Sequence, residues 1–337
     1  MTAVRVRALR KTFQRRVRKP GRSGLMRSWI SGSVETHEAV RGIDFTVESG
    51  ESLALIGPNG AGKSTTLKLL TGILYATSGE AQVLGLTPWR ERTRLAMNIA
   101  TVFGQRSQLW YDLPAEESFE LLARIYELPR SEFHARRAAL VRRFELEPLL
   151  ATQVRKLSLG QRMRCEIAAS LLHRPRVLFL DEPTIGLDVV AKQEIRSLVR
   201  ELNRDEGVTV VLTSHDAGDI EHLCERILLI NHGSIVYHDR VSTLAVRYLK
   251  RKTIEVRLAA AVEHRPQITG AVALESHALG LKLAVDTSTN ALGDVLAQLV
   301  SQLPVADITI EDPPLENILG DMYRDLPPPG ANHAGLE

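Results

Sequence analysis

The sequence predicts an α/β protein on three observations. Short apolar runs that fit buried strands alternate with segments of helical apolar spacing, which implies βαβ units and a sheet covered by helices on both faces. One such run, ESLALIG, ends in glycine and opens into GPNGAGKSTTLKLL, a strand–turn–helix passage. After about residue 245 the texture changes to strand-like TIEVRL, ALGLKLAVD and ADITIED, with helical LGDVLAQLVSQL between two of them. That change predicts a small α+β domain over about 245–330, following a large domain over 1–240.

Along the large domain, residues 2–9 alternate as a strand does, and AVRGIDFTVE (39–48) resumes the pattern after a Gly-, Ser- and Arg-rich loop. Leu53, Leu55 and Ile56 read as core, and Leu67, Leu69, Leu70 and Ile73 as the apolar side of the helix that follows. Residues 115–128, 133–147, 158–172, 189–204 and 216–226 read as helices, and RVLFLDEP and GVTVVLTSH as strands. ERILLINHGSIVYHD reads as two strands around an Asn-His-Gly turn. A helical subdomain is expected over about 105–173 and a basic insertion over about 14–38.

An apolar content of 44% with 25% charged residues is that of a soluble globular protein. Cys165 and Cys224 have no metal-ligand spacing, which argues against a disulfide scaffold or a zinc site. The start, MTAVRVRALRKTF, carries no apolar stretch of signal-peptide kind, and runs such as VLFL and ILLI fall far short of the roughly 20 residues that span a bilayer. Any membrane span therefore belongs to another subunit. Residues 1–34 hold ten Arg or Lys and no acid, so the net charge of +3 leaves −7 on the rest of the chain. The basic stretch suits anionic lipid or nucleic acid on charge alone, but composition favours a solvated insertion. With no basic, aromatic-interleaved face elsewhere, nucleic acid is not an expected partner. The proline-rich end, LPPPGANHAGLE, reads as a frayed tail.

GPNGAGKST, Gly57 to Thr65, matches G-x-x-x-x-G-K-[ST] in its required context, after a strand and opening a helix. The glycines let backbone N–H groups converge on phosphates, and the helix start adds partial positive charge. Lys63 is expected to neutralise the β- and γ-phosphates and Ser64 to ligate Mg²⁺. RVLFLDEP carries Asp181 to the end of a buried strand, where it can hold Mg²⁺. Glu182, next in the chain, is placed to orient or deprotonate water. His215, just past TVVLTS, could reach a γ-phosphate. In TVFGQRSQLW, Gln105 and Gln108 are equal candidates for a metal or water contact on chemistry alone.

The order GPNGAGKST, Gln105, LSLGQ, LFLDEPTIGLD and His215 resembles the nucleotide-binding subunit of an ABC transporter over residues 3–240. VFGQRSQLWYDLP, SLGQRMR and the small C-terminal domain make it most similar to bacterial drug, polysaccharide and viologen exporters, whose membrane chain is separate. The resemblance implies a P-loop ATPase domain with an antiparallel β subdomain and a helical subdomain. It implies that Gly57, Pro58, Asn59, Gly60, Ala61, Gly62, Lys63, Ser64 and Thr65 wrap the phosphates of ATP and its Mg²⁺. Ser64, Gln105 and Asp181 would be metal contacts. Lys63, Gln105, Glu182 and His215 would be catalytic. Ser158, Gly160 and Gln161 would form the signature loop, with Asp188 between active sites. It also implies two ATP molecules sandwiched by two head-to-tail copies, and a separate transmembrane permease that the chain joins at the cytoplasmic face of the plasma membrane. Trp110 and Tyr111 would sit near that coupling surface. The alternative is a soluble ATPase of the same type acting on ribosomes or DNA, which the basic N-terminal region keeps open.

Two departures stand out. The signature usually reads Leu-Ser-Gly-Gly-Gln, and here Leu159 holds the middle position. Leucine cannot use a positive φ cheaply, so the loop must take an ordinary φ there or accept strain. The usual adenine-stacking aromatic, some five residues before Ala39–Val40, is replaced by Val34, which leaves either Trp29 or His37 as a substitute, or weak base stacking.

Overall fold

The structure is a computed structural model describing residues 1–16, 34–104, 106–248, 251–262, 267–287, 289–311 and 315–324. The chain divides into two compact units, Met1–Asp239 and Arg240–Leu326.

The first unit opens with two long strands, β1 (Thr2–Arg16) and β2 (Val34–Glu48). The buried strand β3 (Ser52–Ile56) and helix α1 (Lys63–Leu70) follow, then β4 (Ser78–Val83), α2 (Arg92–Ala96) and β5 (Ile99–Phe103). Helices α3 (Ala115–Ile125), α4 (Arg130–Arg143) and α5 (Leu159–Ser170) come next. The unit ends with β6 (Val177–Asp181), α6 (Val189–Glu206), β7 (Thr209–Thr213), α7 (Ala217–Leu223), β8 (Arg226–Asn231) and β9 (Ser234–Arg240).

Six strands form one sheet in the order β5-β6-β7-β3-β8-β9, and the first five of these run parallel. Every residue of β3 and β7 is buried, as strands covered on both faces must be. β9 returns through His232 and Gly233, whose φ values of 45° and 82° make the two-residue hairpin that matches strand twist. A second, three-stranded sheet, β2-β1-β4, is antiparallel throughout. Its Val4, Val6, Ile43 and Phe45 share one core with Leu53, Leu55, Leu67 and Leu70.

Three features add to or differ from the sequence expectations. Ile73 is not on the apolar side of α1: the helix stops at Leu70, Gly72 turns the chain at φ 72°, and Ile73 is 41% exposed. The flanks of the expected insertion, about 14–38, are strand: Gln14 pairs with Thr36 and Arg16 with Val34 as the hairpin β1–β2 extends outward, so Val34 leaves the stretch 18–34 that reads as a loop. Residues 17–33, with Trp29, lie outside the described residues. Strands β4 and β11 (Ala271–His277) were not expected, because SGEAQV and AVALESH lack a clean two-residue alternation.

The second unit contains α8 (Val241–Tyr248), β10 (Arg251–Leu258), β11, β12 (Gly280–Asp286), α9 (Leu292–Gln302), β13 (Val305–Glu311) and α10 (Leu315–Arg324). Its four strands pair antiparallel in the order β11-β12-β10-β13, and Val295 and Leu299 of α9 pack on Ile254, Val256, Leu283 and Val285. The expected tail lies outside the described residues. Among those residues no helix is long and apolar enough to cross a membrane.

Candidate active site

The loop Gly57–Thr65 leaves β3 at the carboxyl end of the parallel strands, where open α/β sheets place their ligands. At Gly57 φ is 146°, and a Cβ there would lie 2.0 Å from the Ile230 carbonyl oxygen, so the backbone passes where no side chain fits. Pro58, Asn59 and Gly60 are exposed at the rim, Ala61 is buried, and Ser64 and Thr65 are half-buried. Helix α1 begins at Gly62, φ 112°, with no side-chain cap. Thr66 donates its amide and its hydroxyl to the Gly62 carbonyl, both at 2.9 Å. The first-turn amides of Lys63, Ser64 and Thr65, which a helix start leaves without intrahelical partners, are therefore placed for an anion. Lys63 is 7% exposed, and its Nζ donates to the carbonyls of Gly57 at 2.6 Å and Pro58 at 3.2 Å. Burial holds the ammonium pKa below its ordinary value, while the nearby carboxylates of Glu182 and Asp181 pull the other way.

Asp181, the last residue of β6, receives two hydroxyls on one oxygen. Ser64 Oγ donates to Oδ1 at 2.9 Å and Thr213 Oγ1 at 2.6 Å. Thr213 ends β7, the strand between β6 and β3, and sequence reading missed it because only the strand order brings it here. Among the described residues no three His, Cys, Asp or Glu side chains cluster as a protein-only metal cage. One carboxylate with hydroxyls beside a phosphate loop does fit Mg²⁺, a hard cation that keeps several waters and binds through few side chains plus substrate phosphates.

Glu182 takes φ 55°, an uncommon conformation for a residue with a side chain. Its amide is fixed by Thr213, donating to the carbonyl at 3.0 Å and to Oγ1 at 3.2 Å. The carboxylate is turned to His215, with Nδ1 and Oε2 2.6 Å apart. With Glu182 ionised it can only accept, so Nδ1 is the donor. Gly104 crosses directly over this turn, and a Cβ on it would lie 2.1 Å from the Glu182 carbonyl oxygen. Gln105, next along, lies outside the described residues. Gln108 is engaged elsewhere: its amide donates to the buried Glu166 carboxylate at 3.1 Å and its Nε2 to the Glu166 carbonyl at 3.0 Å.

Ser158 caps α5 in a reciprocal capping box. Its Oγ accepts the Gln161 amide at 3.2 Å, and Gln161 Oε1 accepts the Ser158 amide at 3.0 Å. The cap uses a lone pair of the hydroxyl and leaves its O–H free to donate. Leu159 is the first helical residue and keeps a negative φ, so its side chain imposes no backbone strain. Met163 and Ile167, on the same helix, are core. Gly160 is held by space, since a Cβ would sit 2.9 Å from that of Ala191. Asp188 caps α6 by accepting the Ala191 amide at 2.9 Å. Trp110 and Tyr111 are 39% and 47% exposed, and Arg162 donates to the Tyr111 hydroxyl at 2.5 Å.

Phe13 is a second residue that sequence reading passed over. It pairs across β1–β2 with His37, is 39% exposed, and sits two positions from Ala39 on the partner strand. Ala39 abuts the phosphate loop: a Cβ on Gly62 would lie 2.4 Å from the Ala39 carbonyl oxygen. The long insertion between Phe13 and His37 hides this pairing in the sequence. A cavity of about 620 Å³, lined by Arg136, Arg174, Arg176 and Thr209, lies at the amino ends of β6 and β7 and contains none of the expected site residues.

A comparison with protein families matches residues 40–185 to the ABC transporter family, a span that contains Gly57–Thr65, Ser158–Gln161 and Asp181–Glu182 but not His215. The ABC transporter ATP-binding protein NatA of Bacillus subtilis is 30% identical over 207 residues, 61% of this chain and 84% of NatA. The daunorubicin resistance ATP-binding protein DrrA3 of Streptomyces coeruleorubidus is 32% identical over 283 residues, 82% of this chain and 86% of DrrA3. The chain spans 63% of the length of one further curated relative and 33% of another. Among solved structures, the dimeric post-hydrolysis state of the ATP-binding cassette MJ0796, bound to ADP and Pi, matches with a TM-score of 0.59 at 28% identity. That match covers 71% of this chain and 98% of MJ0796.

Proposed function

This chain belongs to the ATP-binding proteins of ABC transporters, and from that premise we propose that it powers export through a separate transmembrane permease at the cytoplasmic face of the plasma membrane. It is an ATP-hydrolysing enzyme. The observation that carries the mechanism is the convergence on Asp181 Oδ1 of the Ser64 and Thr213 hydroxyls, beside the Glu182–His215 pair.

Gly57 to Thr65 and the amides opening α1 bind the β- and γ-phosphates, and Lys63 neutralises them. Ser64 and Asp181, with Gln105, would hold Mg²⁺, which would supply withdrawal of charge from the phosphate oxygens. Glu182 accepts a proton from the attacking water, and His215 holds that carboxylate in place and faces the γ-phosphate. Phe13, with His37 beside it, stacks on adenine in the place of the absent aromatic at Val34.

Ser158, Gly160 and Gln161 serve the ATP of a second copy, and the free O–H of Ser158 is the donor to its γ-phosphate. Val189 and Val190, beside Asp188, are 72% and 66% exposed. A paired apolar surface of this kind at the start of α6 suits burial by the second copy in a head-to-tail homodimer. The cargo is chosen by the permease. The test is to purify the tagged chain from detergent-solubilised membranes. A polytopic protein should co-purify and should change the ATPase rate on reconstitution into vesicles. An ATPase that responds only to ribosomes or DNA, with no membrane protein retained, would overturn the transport reading.

A further inference from the structure

Asp219 lies on α7, is 0% exposed, and contacts neither the phosphate loop nor Asp181. Its Oδ2 accepts the Thr184 hydroxyl at 2.6 Å and the Ser214 hydroxyl at 2.7 Å, while Oδ1 accepts Arg196 Nε at 2.7 Å. Thr184 is two residues beyond Glu182, and Ser214 immediately precedes His215. One carboxylate oxygen therefore holds the flank of each partner in the Glu182–His215 pair.

The surroundings orient this carboxylate and supply it with partners. Arg196 also reaches Asp216 Oδ1 through Nη2 at 2.7 Å, and Lys192 Nζ reaches Asp216 Oδ2 at 2.5 Å. Two cations thus face two carboxylates, which offsets the desolvation of a buried charge. Gly218 makes room for the arrangement, since a Cβ there would lie 2.7 Å from Arg196 Nη1. A buried ion pair of this kind is weak evidence for stability, because an apolar cluster of the same volume serves as well. An apolar cluster could not receive two hydroxyls on one oxygen and so fix the spacing of two loops.

We propose that Asp219 is a positioning residue for hydrolysis, which locks the Thr184 and Ser214 loops so that Glu182 and His215 meet at hydrogen-bond distance. This rests on the assignment of Glu182 as the base. Its strained backbone is over-determined from two sides: Thr213 holds the amide, and Asp219 holds the chain two residues on.

The test uses the full chain and three sets of variants. Asp219→Asn should lower kcat about 10-fold to 100-fold, the cost of a misplacement near 1 Å, with the KM for ATP within about twofold. Thr184→Val, nearly isosteric, should show the same split, and Thr184→Ser, which keeps the hydroxyl and drops the methyl, should retain the wild-type kcat. A packing role predicts the reverse order for the two Thr184 variants and would overturn the proposal. In single-turnover assays, adding Asp219→Asn to Glu182→Gln should cause no further loss, because both act through one group. Losses that multiply would mean Asp219 acts independently of Glu182. If Glu182→Gln alone turns over normally, the base assignment fails instead. Should Asp219→Asn not fold, the Thr184 pair decides the outcome alone.

Discussion

Glu182 and His215 come from the ends of different strands, β6 and β7, yet their side chains meet at 2.6 Å. The carboxylate is only 17% exposed and the imidazole 58%, so the acid is enclosed while the histidine lies open to solvent. That asymmetry suits a base whose water is delivered from one side. Glu182→Gln keeps the shape and can still accept from His215, but it cannot take a proton. Turnover should fall by about 10²-fold to 10⁴-fold with ATP affinity preserved. The variant should accumulate an ATP-dependent dimer, seen as a doubled mass by light scattering. Wild-type hydrolysis by this variant would show that the base has been misassigned.

Phe13 makes the adenine assignment testable. Base–aromatic stacking contributes about 1–3 kcal/mol, so Phe13→Ala should raise the KM for ATP roughly 5-fold to 100-fold with kcat nearly unchanged. Phe13→Trp should restore the affinity. An unchanged KM in Phe13→Ala would assign base contact elsewhere.

The contrast between Gly57–Thr65 and Phe13 shows what the sequence made legible. The phosphate loop, the strand ahead of it and the helix after it are contiguous, so local pattern was enough. The place of Asp181 and Glu182 at the end of an apolar strand was legible for the same reason. Thr213, Asp219 and Phe13 depend on strand order or hairpin register for their contacts, and each meets its partner only once the sheets form. Ile73 failed for a local reason: periodicity continued past Thr71-Gly72, where a glycine at φ 72° ends the helix. Leu159 raised a question of backbone angle that the capped helix start resolves.

Glu166 links α5 to the segment after Gln105, and burial holds its carboxyl above the ordinary value of 4.5 despite donors from Ser107 and Gln108. A carboxyl whose folded pKa is raised binds its proton more tightly in the native state. Its favourable contribution is complete below the unfolded pKa and is lost as pH rises through the folded one. Glu166→Gln can accept from the Gln108 amide and donate to the Ser107 hydroxyl, so it keeps the contacts without the charge. Relative to wild type, its melting temperature should improve as pH rises from about 4.5 toward neutrality. Parallel melting curves across that range would contradict the raised carboxyl.

Leu159 should not be an impaired form of a glycine. It has an ordinary φ and lies close to Gly186, where an added Cβ would be 3.2 Å from Leu159 Cδ2. Leu159→Gly should lose this contact and loosen the helix start, costing about 1 kcal/mol, or roughly 2–4 °C in melting temperature. Turnover should stay within about twofold, and a several-fold gain would mean that the leucine does strain the signature loop.

Gly160 offers the sharper test of that loop, because space rather than φ demands it. A Cβ at Gly160 would meet that of Ala191 at 2.9 Å, and Ala191 also supplies the amide that Asp188 caps. Gly160→Ala should push apart the starts of α5 and α6, which carry Ser158 and Asp188. Overpacking of this kind costs about 1–3 kcal/mol, and the displaced serine should lower kcat about tenfold or more. Ala191→Gly alone removes a methyl and should change turnover little. Combining the two exchanges the positions of methyl and hydrogen, so Gly160→Ala/Ala191→Gly should recover most of the lost stability and rate. If the double variant stays as slow as Gly160→Ala while its melting temperature recovers, the glycine serves a direct backbone approach to phosphate instead. Measuring both quantities on the same preparations separates packing from phosphate contact.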